Sequence, residues 1–206
     1  MALRGIRNLI IDLGGVIVDL TRSRCIDAFQ QLGIRDVRQH ILSSGQHKDL
    51  FMKYELGYVT TRQFHDEMRR LSQRPLTDEE IDQAWIAMLG EVPTYRLDLL
   101  LSLRKRYRTF LLSNTNELHW DWMARTAFTY QGLRAEDFFD RIYLSYKLHT
   151  QKPETRIFEH VLNNAGLHPS ETLLLDDSLP NCRTAEAMRM KAYQVKPRED
   201  WSFLFR

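Results

Sequence analysis

Four short stretches of the chain are apolar on both faces rather than alternating: Asn8–Asp12, Thr109–Leu112, Arg141–Ser145 and Thr172–Leu175. Runs of this length without a two-residue period predict buried strands of a parallel sheet. Lys191–Lys196 is a fifth, weaker candidate. Helical patterns separate the later runs. Thr155–Ala165, for example, sets Ile157, Val161 and Leu162 at helical spacing and is stopped by Gly166. Strand alternating with helix predicts an α/β fold, a doubly wound parallel sheet with right-handed crossovers. The interval from Thr21 to Val92 breaks that rhythm and holds helical patterns only, among them Thr61–Leu71 and Thr77–Met88. Each opens on a Thr suited to cap a helix, and Thr77-Asp-Glu-Glu80 has the form of a capping box. The chain therefore divides into a core of residues 1–19 and 93–206 and a small inserted helical cap of residues 20–92. One continuous fold without a separate cap is the alternative.

Composition narrows the class. The 206 residues are 43% hydrophobic and 27% charged, the balance of a soluble globular protein. That excludes a disordered, collagen-like or membrane-bundle chain. A formal net charge of +2 gives no bulk attraction to nucleic acid. Arg4 and Arg7 before an apolar run imitate a secretory leader, but Asp12 interrupts the run and no small-residue cleavage site follows. Two cysteines, Cys25 and Cys182, make no disulfide framework and suit a reducing compartment. The expectation is a cytoplasmic protein, monomeric or a small homo-oligomer, with no nucleic-acid or membrane partner.

Ligands of an open parallel sheet bind beyond the carboxyl ends of its strands. The first run ends in Asp12-Leu13-Gly14-Gly15 and the second in Ser113-Asn114-Thr115-Asn116. The third is followed by Gln151-Lys152-Pro153-Glu154, and the fourth ends in Asp176-Asp177-Ser178. A carboxylate, a hydroxyl, a lysine and a carboxylate pair, in this order, suit phosphoryl transfer from a small phosphorylated substrate through an aspartyl-phosphate. An aspartate can attack phosphorus only where the repulsion between two anions is cancelled, as by Mg2+ held on carboxylate and carbonyl oxygens. Asp12 is then the nucleophile and a metal ligand. Asp177 is the opposing ligand, and Asp176 a ligand or a partner behind it. Backbone N–H groups of the turn at Leu13 and Gly14 bind phosphate oxygens, Ser113 with Asn114 holds the transferring group, and Lys152 neutralises charge.

The ordered motifs Asp12-Leu-Gly-Gly-Val-Ile, Leu112-Ser-Asn-Thr-Asn-Glu, Lys152-Pro-Glu and Leu175-Asp-Asp-Ser-Leu-Pro-Asn181 resemble those of haloacid dehalogenase-like (HAD) hydrolases over nearly the whole chain. The helical insert resembles that family's small helical cap. Ser113-Asn-Thr-Asn-Glu, Ile142-Tyr-Leu-Ser and Lys152-Pro-Glu-Thr-Arg-Ile-Phe are similar to the alpha-D-glucose-1-phosphate phosphatase branch. The resemblance implies a Mg2+-dependent phosphatase of a small phosphorylated metabolite. It also implies a metal-binding carbonyl at Gly14, where phosphatases of the family usually carry a second aspartate. That aspartate serves as general acid and base, and glycine cannot. Such catalysis is worth about 10²–10⁴-fold, so slow turnover is expected unless Asp19 or a cap residue substitutes. Two rivals remain. One is a catalytically weak protein that binds phosphorylated ligands or a partner. The other is a 2-haloacid dehalogenase, whose metal-free chemistry the pair Asp176-Asp177 argues against.

Plainer roles compete for several residues. Asn116 and Ser113 suit helix caps, and Cys182 suits a buried structural thiol. The histidines at 40, 47, 65, 119, 149, 160 and 168 lack metal-ligand spacing and read mostly as solvated, with His119 placed to line the site. Trp120 and Trp122 read as packing residues. In the cap, His47, Lys48 and Tyr54-Glu55-Leu56-Gly57 are candidates to touch substrate.

Overall fold

The computed structural model describes residues 3–34 and 48–206. Five parallel strands form one sheet in the order β3-β2-β1-β4-β5. They are β1 (Asn8–Ile11), β2 (Arg108–Ser113), β3 (Arg141–Leu144), β4 (Thr172–Asp176) and β5 (Lys191–Gln194). The weak fifth run is thus a real edge strand, two residues shorter than its pattern. Eight helices of eight residues or more are described: α1 (Arg22–Gln31), α2 (Lys48–Glu55), α3 (Thr61–Leu71), α4 (Asp78–Ile86), α5 (Thr94–Arg104), α6 (Glu117–Thr126), α7 (Thr155–Ala165) and α8 (Leu179–Ala187).

Apolar residues on both faces of each strand are what a covered parallel sheet needs. Leu9, Ile11, Leu111, Leu173 and Leu175 face one layer with Leu97, Leu100 and Leu103 of α5. Their chain neighbours Ile10, Phe110, Leu112 and Leu174 face the other, with Ile157, Phe158 and Val161 of α7. Each such aliphatic or aromatic side chain stabilises the fold by about 1.5–3 kcal/mol when fully buried.

The register fixes where functional groups emerge. Ile11 pairs with Leu111 on one side and with Leu175 on the other. Asp12 and Asp176, each one residue further on, therefore leave the sheet side by side, and Ser113 leaves beside them. Strand order switches side at β1, with β2 and β3 laid down to one side and β4 and β5 to the other, so this edge is the switch point at which open α/β sheets bind ligands.

Helices α1 to α4 bury a third cluster of their own, including Phe29, Tyr54, Phe64 and Trp85. Two capping boxes start α3 and α4. Thr77 and Glu80 form the second, as their spacing predicts. The first is formed by Thr60 with Gln63, so Thr61 is the first helical residue rather than the cap. Both candidates had a hydroxyl, and Gln63 at the third helical position decided between them. The two segments joining these helices to the sheet pair antiparallel, Thr21 N–H donating to Met88 O and Gly90 N–H to Asp19 O. Among the described residues no helix is long and apolar enough to cross a membrane.

Candidate active site

Lys152 is the hub of the strand-end groups. Its ammonium lies 2.8 Å from Asp12 Oδ1 and 2.6 Å from Asp176 Oδ2, and it donates to Leu112 O at 2.9 Å. All three hydrogens are used in a site where Lys152 is 3% exposed. Burial alone would lower its pKa, but the two carboxylates outweigh it and raise the value, so the lysine stays charged. Asn114 holds the lysine's main chain: its Oδ1 accepts from Lys152 N and its Nδ2 donates to Lys152 O. The Asn114 side chain is thus occupied in aiming Lys152, a task that adjacency to Ser113 did not suggest.

Asp176 is fully buried. Besides Lys152 it accepts from Ser178 N at 2.9 Å and from Asn181 Nδ2 at 2.8 Å. Asn181, present in the motif but given no role from sequence, holds this carboxylate in place. Asp177 is exposed and lies against Gly15. A Cβ on Gly15 would come 2.4 Å from Asp177 Oδ2, and Gly15 has φ +75°, so only glycine suits the position. Asp12, Asp176 and Asp177 each offer a carboxylate oxygen within 4.8 Å of the others. Three hard oxygen donors fit Mg2+ far better than a soft metal. Burial, then the repulsion of Asp176 and Asp177, drives the Asp12 pKa well above the usual carboxylate range despite Lys152. Burial and Asp176 raise Asp177 as well. A cluster that disfavours its own ionisation is what a divalent cation relieves.

Leu13, Gly14, Ser113 and Asn114 line a cavity of about 350 Å³ whose far wall is Phe51, Glu55 and Trp85 of the helical cluster. Leu13 N–H donates to Asp12 Oδ1 at 2.7 Å, which orients that carboxylate. His119 also reaches the cavity, as its position predicts, but both ring nitrogens are engaged. Nε2 lies 3.0 Å from Trp85 O and Nδ1 3.2 Å from Asn116 Nδ2. Its ring stacks on Trp85 at 4.7 Å. Asn116 caps α6, accepting from His119 N, and also accepts from Trp85 Nε1.

The solvated reading of the histidines needs correction at His65. His119 and His65 are each 6% exposed; Trp85 covers the first, and Asp78 with Asp82 flanks the second. His149, His160 and His168 are exposed, while His40, His47 and the Lys48 side chain lie outside what is described. Cys182 is buried, and burial, then Asp176, pushes its thiol up to about 12, which leaves no reactive thiolate. Trp120 is core, as expected.

A parallel sheet presenting a carboxylate cluster and a buried lysine at its switch point is an arrangement suited to a hydrolase. The chain belongs to the haloacid dehalogenase-like hydrolase family, whose model matches residues 6–189. It is 35% identical over 196 residues to a D-ribitol-5-phosphate phosphatase of Bacteroides thetaiotaomicron, covering 95% of each chain. A sesquiterpene phosphatase of Aspergillus oryzae is 26% identical over 192 residues, 88% of this chain and 85% of that one. A HAD family enzyme from Bacteroides thetaiotaomicron, solved with magnesium and inorganic phosphate, superposes with a TM-score of 0.93 at 43% identity. That match covers 98% of this chain and 100% of the other.

Proposed function

We propose that this chain is a Mg2+-dependent phosphatase of a small phosphorylated metabolite, a sugar or polyol phosphate, working through an aspartyl-phosphate on Asp12. The observation that carries the reading is the convergence of three strand ends, those of β1, β2 and β4, on one ammonium group, with three carboxylates inside 4.8 Å. Asp12 and Asp177, with the Gly14 carbonyl, would hold Mg2+; Asp176 stands at their side while anchoring Lys152. The ion supplies positive charge that lets an anionic nucleophile meet an anionic phosphoryl group. Ser113 and the Gly14 N–H hold the phosphoryl oxygens, while the Leu13 N–H, against the sequence expectation, is spent on Asp12 Oδ1. Lys152, fixed by Asn114 and Asp176, opposes the rise in the Asp12 pKa and orients that carboxylate.

Residues 20–92 act as the cap over the cavity and choose the alcohol. About 350 Å³ suits a ligand of sugar size. The wall mixes Arg22 and Glu55 with Phe51 and Trp85, a lining able to bond hydroxyls while excluding water. The relative of 35% identity, a D-ribitol-5-phosphate phosphatase, favours a polyol phosphate over the sugar 1-phosphate of the branch the motifs resemble. Two buried free cysteines suit a reducing cytoplasm.

The test is phosphate release from a panel of polyol, sugar and aryl phosphates, with Mg2+ and with EDTA, beside Asp12→Asn. Metal-dependent release lost in Asp12→Asn is expected. Release from no ester, or equal release by the variant, would overturn the proposal.

A further inference from the structure

A phosphatase with Gly14 in place of an acid needs a proton donor for the leaving alcohol. The space beside Gly14 is taken: a Cβ there would sit 2.7 Å from Leu20 Cδ1. Asp19, the nearest carboxylate in sequence, is committed elsewhere. Arg96, 2% exposed, donates to Asp19 Oδ1 and to Ile17 O, both at 3.0 Å. That ion pair occupies the Asp19 carboxylate. Among the described residues one carboxylate lines the cavity that Leu13, Gly14 and Ser113 open into, and it is Glu55, the last residue of α2.

Its backbone is pinned to the site. Ser145 Oγ donates to Glu55 O at 2.6 Å and accepts from Thr115 N at 2.9 Å, so one hydroxyl joins Glu55 to the Ser113 loop. His149 Nδ1 donates to Leu56 O at 2.8 Å. Gly57, with φ +70°, lies so close that a Cβ would meet Tyr146 O at 2.0 Å. These contacts hold the end of α2 over the strand ends. Burial pushes the half-buried Glu55 carboxyl up to about 6, with Arg22 pulling the other way, so it can hold or release a proton near neutrality.

We propose that Glu55 is the general acid and base of this enzyme, donated by the cap in place of the aspartate missing at position 14. The inference rests on the phosphatase reading above. As Asp12 Oδ bonds to phosphorus, the ester P–O bond breaks with its electron pair on the leaving oxygen, and the Glu55 proton passes to that oxygen to give the free alcohol. The Glu55 carboxylate then takes a proton from water while the water oxygen bonds to phosphorus. The P–Oδ bond breaks, its pair returns to Asp12, and phosphate leaves with Glu55 protonated again.

The leaving group decides the test, because nitrophenolate departs without a proton and an alkoxide does not. The full chain with Mg2+ is assayed on p-nitrophenyl phosphate and on a polyol phosphate, as wild type, Glu55→Gln and Asp12→Asn. Glu55→Gln should raise the ratio of kcat/KM for the aryl ester to that for the alkyl ester by about 10²–10⁴-fold. It should also turn nitrophenolate release into a burst of about one equivalent per enzyme, since hydrolysis of the aspartyl-phosphate loses its base. A ratio equal to that of wild type, whether both values fall together or neither falls, would overturn the role of Glu55. The phosphatase reading fails separately, if Asp12→Asn matches wild type on both esters.

Discussion

Acid should loosen this protein through His119. The ring is buried and stacked on Trp85, and its two nitrogens suit the neutral tautomer with hydrogen on Nε2, donating to Trp85 O and accepting from Asn116. Burial holds its pKa down to about 4, against an ordinary 6.5, with the bond to Trp85 O pulling the other way. The unfolded chain takes up a proton as pH falls through 6.5, whereas the folded chain does so only near 4. Stability from neutral His119 is therefore complete above pH 6.5 and drains away between 6.5 and 4. At about 1.4 kcal/mol per pH unit the full loss is about 3 kcal/mol, of which about 2 kcal/mol is gone at pH 5. His119→Phe keeps a ring on Trp85 but cannot titrate. It removes the imidazole partner of Trp85 O and of Asn116 Nδ2, a cost of about 1–3 kcal/mol that does not vary with pH. Urea denaturation followed by tryptophan fluorescence, at pH 7.5 and at pH 5, should show wild type losing about 2 kcal/mol more than the variant between the two. Asp12 and Glu55 titrate in both proteins and cancel in the comparison. Parallel pH dependences would refute the assignment.

Two further outcomes follow from the same geometry. Asp12→Asn should melt higher than wild type at pH 8 in EDTA, because a carboxyl with a raised pKa weakens the fold once ionised. The gain should shrink as pH falls toward 4, where the aspartate is neutral too; a lower melting temperature at pH 8 would contradict it. Gly57→Ala should cost on the order of 2–4 kcal/mol in urea denaturation, since its Cβ would strike backbone rather than a side chain able to move. An unchanged midpoint would show that the α2 end is not held where the structure places it.

The sheet was legible because each strand carries its instruction locally: apolar on both faces, then a polar strand end. Asp12, Ser113, Lys152, Asp176 and Asp177 were readable for the same reason, since parallel strands in register bring their carboxyl ends to one edge. What escaped reading depends on residues far apart in the chain. Asn114 beside Ser113 suggests a phosphate contact, and only the fold shows its amide spent on the Lys152 main chain. Leu20 over Gly14 and Arg96 on Asp19 involve partners that no local pattern connects. His65 reads as a surface residue because burial is decided by what packs over it. Glu55 sits at the end of an ordinary helix, and its chemistry comes from the loops it is pinned to. Thr60 carries a local signal, Gln63 three residues on, that marks it as the cap.

The three carboxylates around one ammonium also set an order of assembly. Counted as ionised groups, Asp12, Asp176, Asp177 and Lys152 sum to two negative charges, which a phosphate dianion meets as repulsion. A divalent cation brings the sum to zero, so cation and phosphate bind with positive cooperativity rather than independently. Linkage makes that coupling mutual: phosphate must tighten Mg2+ by the same factor by which Mg2+ tightens phosphate. Affinity for substrate is then a function of free magnesium concentration. With little of the ion the proposed site would turn phosphorylated metabolites away instead of holding them unreacted.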